Sequence, residues 1–88
     1  MGIKHKPPGN LTMITVELKF FVTLAPYMPE NAHAFLIEEN TRVDTLIKDI
    51  GIPDDLVKLI FINGRKQDSS YPLKHGDRLG LFPPVGGG

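Results

Sequence analysis

The chain has 88 residues, with ten Lys and Arg against ten Asp and Glu and no cysteine. Its size limits it to one core, and a formal net charge of zero excludes nucleic-acid binding driven by overall charge, which needs excess cations to displace counterions. Without a thiol, disulfides, a cysteine nucleophile, thiolate metal sites and a persulfide carried on the protein are all excluded.

Residues 1–11 contain Lys4, His5 and Lys6, two prolines, and, after the initial Met1, Ile3 as the only large apolar side chain before Leu11. This composition predicts a flexible N-terminal arm. The cations are not followed by an apolar h-region, so a secretory signal is not expected. Nor does any later run approach the ~18 apolar residues of a membrane span, and the expected location is the cytoplasm. The compact domain is expected over residues 12–82, with residues 83–88 as an extended tail.

From Ile14 to Leu24 every second residue is apolar: Ile14, Val16, Leu18, Phe20, Val22 and Leu24. Period two predicts a strand with one buried face. Phe21 breaks the alternation by falling among the polar positions. Either a loop or the arm covers it, or it is an exposed aromatic that anchors a partner. The prolines of Ala25–Asn31 predict a connecting loop, and His33–Glu38 reads as a second strand in a hairpin with the first. Thr41 is the expected N-cap of a helix of about ten residues, with Asp44 in its positive first turn. Val43, Leu46, Ile47 and Ile50 form its buried stripe at i, i+3, i+4 and i+7. Gly51 supplies a positive-φ stop and Pro53 prevents continuation.

Asp54 and Asp55 after that proline read as a solvated turn rather than an acid–base pair. Leu56–Ile62, broken only by Lys58, predicts an interior strand. Asn63-Gly64 is a strong hairpin signal because a type I′ turn needs positive φ at both positions. Arg65–Asp68 is the expected returning strand. Leu73 dips to the core, and His75-Gly76-Asp77 turns into a last strand, Arg78–Phe82, with Leu79 and Leu81 on one face and Gly80 and Phe82 on the other. The order of elements predicts an α+β roll of the ubiquitin type, one main helix packed on a small mixed sheet of four to five strands.

His5, His33 and His75 have no helical or hairpin spacing that would bring them together, so no metal site is expected. No glycine-rich phosphate loop follows a strand, and no Ser/His/Asp arrangement stands out. What remains is the ending, Phe82-Pro83-Pro84-Val85-Gly86-Gly87-Gly88. Two prolines stiffen the exit, and six extended residues reach about 20 Å. Three glycines can thread a channel too narrow for side chains and present a main-chain carboxylate at its far end.

That ending, together with Leu73-Lys74-His75-Gly76-Asp77-Arg78, Asn63-Gly64 and Lys19-Phe20-Phe21, resembles the MoaD/ThiS family of sulfur carriers over residues 13–88. The FPPV ending is similar to that of the small subunit of molybdopterin synthase. The chain departs from the family pattern at Ala25–Pro29, where an Arg is common, and at Gly86, where Ala, Ser or Thr is common. The resemblance implies a β-grasp fold and a non-catalytic carrier with no permanently bound cofactor. It implies that an E1-like enzyme uses ATP to adenylate the carboxylate of Gly88, and that donor sulfur then replaces AMP to leave a thiocarboxylate. Gly86 and Gly87 would be the threading tail. The molybdopterin synthase large subunit, or another sulfur acceptor, would be the second partner. In such a roll the first and last strands are neighbours, placing Phe21 and Phe82 together on the outer face. Phe21, Phe82, Pro83, Pro84 and Val85 are then the expected partner-binding residues. Two other activated-tail readings are a ubiquitin-like modifier conjugated through Gly88 and a thiamine-type sulfur carrier. A plain interaction module with an inert tail is a further alternative.

Overall fold

The alternating segment forms strand β1, Met13–Phe20, whose inward residues Ile14, Val16, Leu18 and Phe20 are all buried. Strand β2, Phe35–Glu38, lies antiparallel beside it, with Val16 opposite Phe35 and Met13 opposite Glu38. Helix α1, Val43–Ile50, crosses to strands β3, Leu59–Ile62, and β4, Arg65–Lys66; strand β5, Arg78–Phe82, follows. The computed structural model describes residues 12–84; the expected arm over residues 1–11 and the residues from Val85 to Gly88 lie outside that range. The five strands form one sheet in the order β2-β1-β5-β3-β4. β1 and β5 run parallel, with Glu17 opposite Arg78 and Phe20 opposite Leu81. The other pairings are antiparallel. This is the expected β-grasp roll: one main helix on a mixed five-stranded sheet.

The helix forms because Val43, Leu46 and Ile47 point one way and are buried against the sheet. Eight residues are too few to be helical alone in water, so burial of that stripe is what holds it. Leu73, Leu79 and Leu81 meet it with at most 1 % exposure. Each such side chain contributes about 1.5–3 kcal/mol on leaving water. Gly51 ends the helix in the left-handed region, φ 97°, with its N–H donating to the carbonyls of Ile47 and Lys48. Ile52 N–H also donates to Ile47 O at 3.1 Å. The paired glycine and following-residue bonds satisfy the carbonyls that a helix end leaves open.

Four local expectations are corrected. The first strand stops at Phe20 rather than Leu24, because Val22 adopts φ 55° and Val22–Tyr27 winds into a 3₁₀ turn. Leu24 is still fully buried but Val22 is 75 % exposed, so beyond Phe20 the alternation reported burial at one position and failed at the other. Phe20 N–H, at the point of departure, donates to Met28 Sδ at 3.2 Å. β2 begins at Phe35 because Ala32–Ala34 is a second 3₁₀ turn. β3 begins at Leu59 because Asp54–Leu56 is a third. The returning strand β4 shortens to Arg65–Lys66; beyond it Asp68 Oδ2 accepts from the N–H and hydroxyl of Ser70 and turns the chain.

The helix start also differs. Thr41 Oγ1 does not accept from the helix; it donates to Glu38 O at 2.6 Å. The N-cap is Arg42, with no side-chain capping bond. The free N–H groups of the first turn are satisfied instead by a distant loop, Val43 to Tyr71 O at 3.1 Å and Asp44 to Ser69 O at 2.8 Å. Asn63-Gly64 behaves as expected, with φ of 53° and 84°. Among the described residues no helix is long and apolar enough to cross a membrane.

Candidate docking face and tail exit

Register decides which side chains share the outer face. Lys19 lies opposite Gly80, Gly80 opposite Phe61, and Phe61 opposite Lys66, so these four make one row across β1, β5, β3 and β4. In the adjacent row Phe82 lies opposite Leu59. Phe21, just past the end of β1, donates its N–H to Leu81 O at 3.1 Å. That bond extends the β1–β5 pairing by one step and sets the Phe21 ring beside that of Phe82. The rings stack with centroids 4.3 Å apart and an 8° angle between planes. Phe61 meets Phe82 edge-on at 5.5 Å and 76°. Both are favoured aromatic geometries, worth about 0.5–1.5 kcal/mol each beyond buried area.

The cluster remains accessible: Phe21 is 37 % exposed. With Gly80 as its floor it forms an open depression of about 450 Å³, rimmed by Glu17, Lys19, Gly64 and Arg78. Phe21 and Phe82 are therefore brought together on the outer face, as expected from the neighbouring strands. Gly80, expected on the face of Phe82, forms the floor, and Phe61 completes the cluster and was not anticipated. β3 reads Leu-Ile-Phe-Ile, and a run that is apolar on both faces gives no alternation from which to see that Phe61 points outward.

β5 ends at this cluster, since Phe82 is both its last residue and one of the stacked pair. Lys58 N–H donates to Phe82 O at 2.8 Å, closing the sheet at the last residue of β5. Pro83 is half-buried and Pro84 exposed. Of the other expected tail and partner residues, Val85, Gly86, Gly87 and Gly88 lie outside the described residues.

At the opposite end of β5 a polar clip fixes its register. Asp77 is 7 % exposed, the only buried charged side chain among the described residues. Its Oδ1 accepts from Asn63 Nδ2 at 3.0 Å and its Oδ2 from Lys74 N–H at 2.9 Å. Asn63 Oδ1 in turn accepts from Arg78 N–H at 3.0 Å. The clip ties the β3–β4 hairpin to the start of β5, and hence positions Phe82 at its other end.

Among the described residues the remaining titratable groups make no reactive constellation. Among the described residues no three His, Asp or Glu side chains converge as a metal site. His75 Nδ1 accepts from Thr15 N–H at 3.2 Å, a structural contact at the β5 turn. Arg42 and Asp44 form the one ion pair among the described residues, 2.7 Å apart and exposed. The hydrogen bond from Arg42 holds the Asp44 carboxyl below the usual carboxylate range. Asp68 is lowered by the Ser70 hydroxyl and N–H.

Comparison with known proteins places this geometry. The sequence profile of the ThiS family matches residues 18–88, from the middle of β1 through the glycine tail. The chain belongs to the ThiS family. No curated protein sequence matches it. Among solved structures it is similar to the putative molybdopterin converting factor subunit 1 of Pyrococcus furiosus. That pair shares 30 % identity at a TM-score of 0.57, over 82 % of this chain and 99 % of that one. It is similar also to a complex of subunits 1 and 2 of the molybdopterin-converting factor of Helicobacter pylori, at 30 % identity and a TM-score of 0.50, over 88 % of this chain and 100 % of that chain. The Haloferax volcanii HVO 2177 protein has the same fold, with a TM-score of 0.70 at 22 % identity, over 100 % of this chain and 99 % of that one. The protein is thus a ThiS/MoaD-like chain with the ubiquitin-like sulfur-carrier fold, and the aromatic face lies on the outer side of that fold where β5 hands over to the tail.

Proposed function

We propose that this ThiS-family chain is a non-catalytic sulfur carrier acting in molybdopterin or tungstopterin biosynthesis. An E1-like enzyme transfers AMP from ATP to the carboxylate of Gly88 and releases pyrophosphate. A hydrosulfide-level sulfur then attacks the activated carbonyl, AMP leaves, and a glycyl thiocarboxylate remains. The physical need for activation is plain: a free carboxylate has no adequate leaving group, and a mixed anhydride with phosphate has one. The carrier next docks on a large subunit and delivers sulfur to a pterin precursor.

The observation that carries this reading is the position of the stacked Phe21 and Phe82 pair where β5 meets the tail. A partner that grips the aromatic face holds the exit of a tail that reaches about 20 Å in extended form. The carboxylate is thereby delivered at a set distance from the docking point, while the partner supplies the reactive groups. The absence of cysteine is compatible with sulfur carried as an acyl group on the main chain.

Intact-mass analysis of the full chain after incubation with the cognate activating enzyme, ATP and a sulfur donor tests the reading. One oxygen-to-sulfur exchange is expected, confined to the C-terminal peptide. A chain that gains ATP-dependent links to protein lysines in place of sulfur would overturn it in favour of a modifier.

A further inference from the structure

Gly80 is an ordinary strand residue without positive φ, so its backbone does not require glycine. Its effect lies in the space above it. A methyl group placed on its Cα would lie 3.6 Å from Phe21 Cε2, 3.7 Å from Phe82 Cε1 and 3.9 Å from Phe61 Cβ. These are ordinary contact distances. The three phenylalanines therefore surround a gap about the size of one methyl group, which this chain leaves empty and open to solvent at the floor of the depression. A void of this kind gives up dispersion contacts that a partner's aliphatic tip can restore.

The charge around the gap is predominantly positive. Lys19, opposite Gly80, and Arg78 line the depression, and Lys66 lies farther out in the same row, beyond Phe61 on β4. Glu17 is the one acid lining the depression, and although it lies opposite Arg78 in register, they form no ion pair; the one ion pair among the described residues is Arg42–Asp44. The three cations are available to an incoming anion. A second copy of this face would oppose like charges. A nucleobase is also a poorer match, since Phe21 and Phe82 each spend one ring face on the other.

We propose that the gap over Gly80 is a socket for a single aliphatic side chain, presented by an acidic segment of a partner protein whose carboxylates meet Lys19, Lys66 and Arg78. The inference rests on the reading of this face as a protein-docking surface, and it names the chemistry that face selects. The aliphatic tip gives affinity through burial, and the carboxylates give orientation and a salt-dependent encounter.

The test is a titration of the full ¹⁵N-labelled chain with the capped peptide Asp-Glu-Leu-Glu-Asp, followed by amide shifts. Parallel titrations use Lys-Lys-Leu-Lys-Lys, Asp-Glu-Gly-Glu-Asp and an oligouridine. The acidic leucine peptide is expected to shift Gly80, Phe21, Phe61 and Phe82, saturating in the millimolar range and weakening about fivefold at high salt. The Gly80→Ala chain, its fold verified by the same spectrum, is expected to bind about tenfold more weakly because its own methyl fills the socket. Equal response to the lysine or glycine peptide, preference for oligouridine, no shifts at these four residues, or unchanged binding by Gly80→Ala would each overturn the proposal. Sulfur gain at Gly88 is read separately by mass. A chain that binds the peptide and gains no sulfur keeps the socket and loses the carrier reading, and the reverse result does the opposite.

Discussion

Replacing Asp77 by alanine removes the one buried charged side chain among the described residues and leaves two donors facing a small void, Asn63 Nδ2 and Lys74 N–H. Hydrogen bonds to a charged acceptor contribute about 1.5–3 kcal/mol each, and a stranded donor adds its own desolvation penalty. Asn63 and Lys74 are exposed residues, so water recovers part of the loss. The expected cost is therefore about 2–4 kcal/mol, out of the 5–15 kcal/mol that holds a typical domain together. With a urea slope near 1 kcal/mol/M for a domain of this size, the midpoint falls by about 2 M or more. Asp77→Asn is the sharper variant. It restores one acceptor oxygen but must aim its amide NH₂ at a donor, whichever way it flips, so it recovers at most about half of the loss. Urea denaturation of the three chains at neutral pH measures both values. A loss below about 1 kcal/mol for Asp77→Ala, or full recovery with Asn, would refute the clip as an energetic element.

Gly80→Ala is expected to raise fold stability by about 0.5–1 kcal/mol, since the methyl meets only ordinary contacts and the unfolded chain loses freedom; thermal unfolding measures it. Phe82→Ala removes the stacked and edge-on partners of Phe21 and Phe61 at once, and is expected to weaken binding of the activating enzyme at least about tenfold while the sheet persists in circular dichroism. Deletion of residues 86–88 is expected to abolish sulfur gain and to leave the urea midpoint unchanged, separating the tail from the core. Asp44 and Asp68 titrate below the usual carboxylate range, so the folded chain holds fewer protons than the unfolded one in acid. Their contribution is present above the unfolded value, near pH ~4, and is lost as pH falls through the lower folded values. A pH series of thermal midpoints is expected to show wild type above the Asp44→Asn/Asp68→Asn chain at neutral pH, with the two converging in acid.

Much of the roll was legible in the residues themselves. Period two marked β1, the i, i+3, i+4 stripe marked α1, and Gly51 and Asn63-Gly64 marked a helix stop and a hairpin by the positive φ they tolerate. The bounds of β5 came from turn residues on one side and prolines on the other. Those signals are local, because dihedral preference and side-chain alternation are properties of a few neighbouring residues. The same locality explains the misreadings. Alternation through Leu24 records that Leu24 is buried, and burial is as available from a 3₁₀ turn as from a strand.

The sequence by itself determined the fold class, the absence of thiol chemistry and the unusual glycine ending. Tertiary structure alone decided where the helix begins, because its first N–H groups find carbonyls of Ser69 and Tyr71 from a remote loop. It decided that Asp77 is buried and doubly bonded, and that Phe61 faces outward from a strand apolar on both sides. Phe21 and Phe82 were already expected together from the pairing of the first strand with the last; the tertiary structure added their stacking and the gap over Gly80. Apart from the local Lys74–Asp77 bond, these contacts join residues about 15 to 60 positions apart, and no preference of a local segment encodes which distant backbone will arrive beside it; that is settled by the register of the whole sheet.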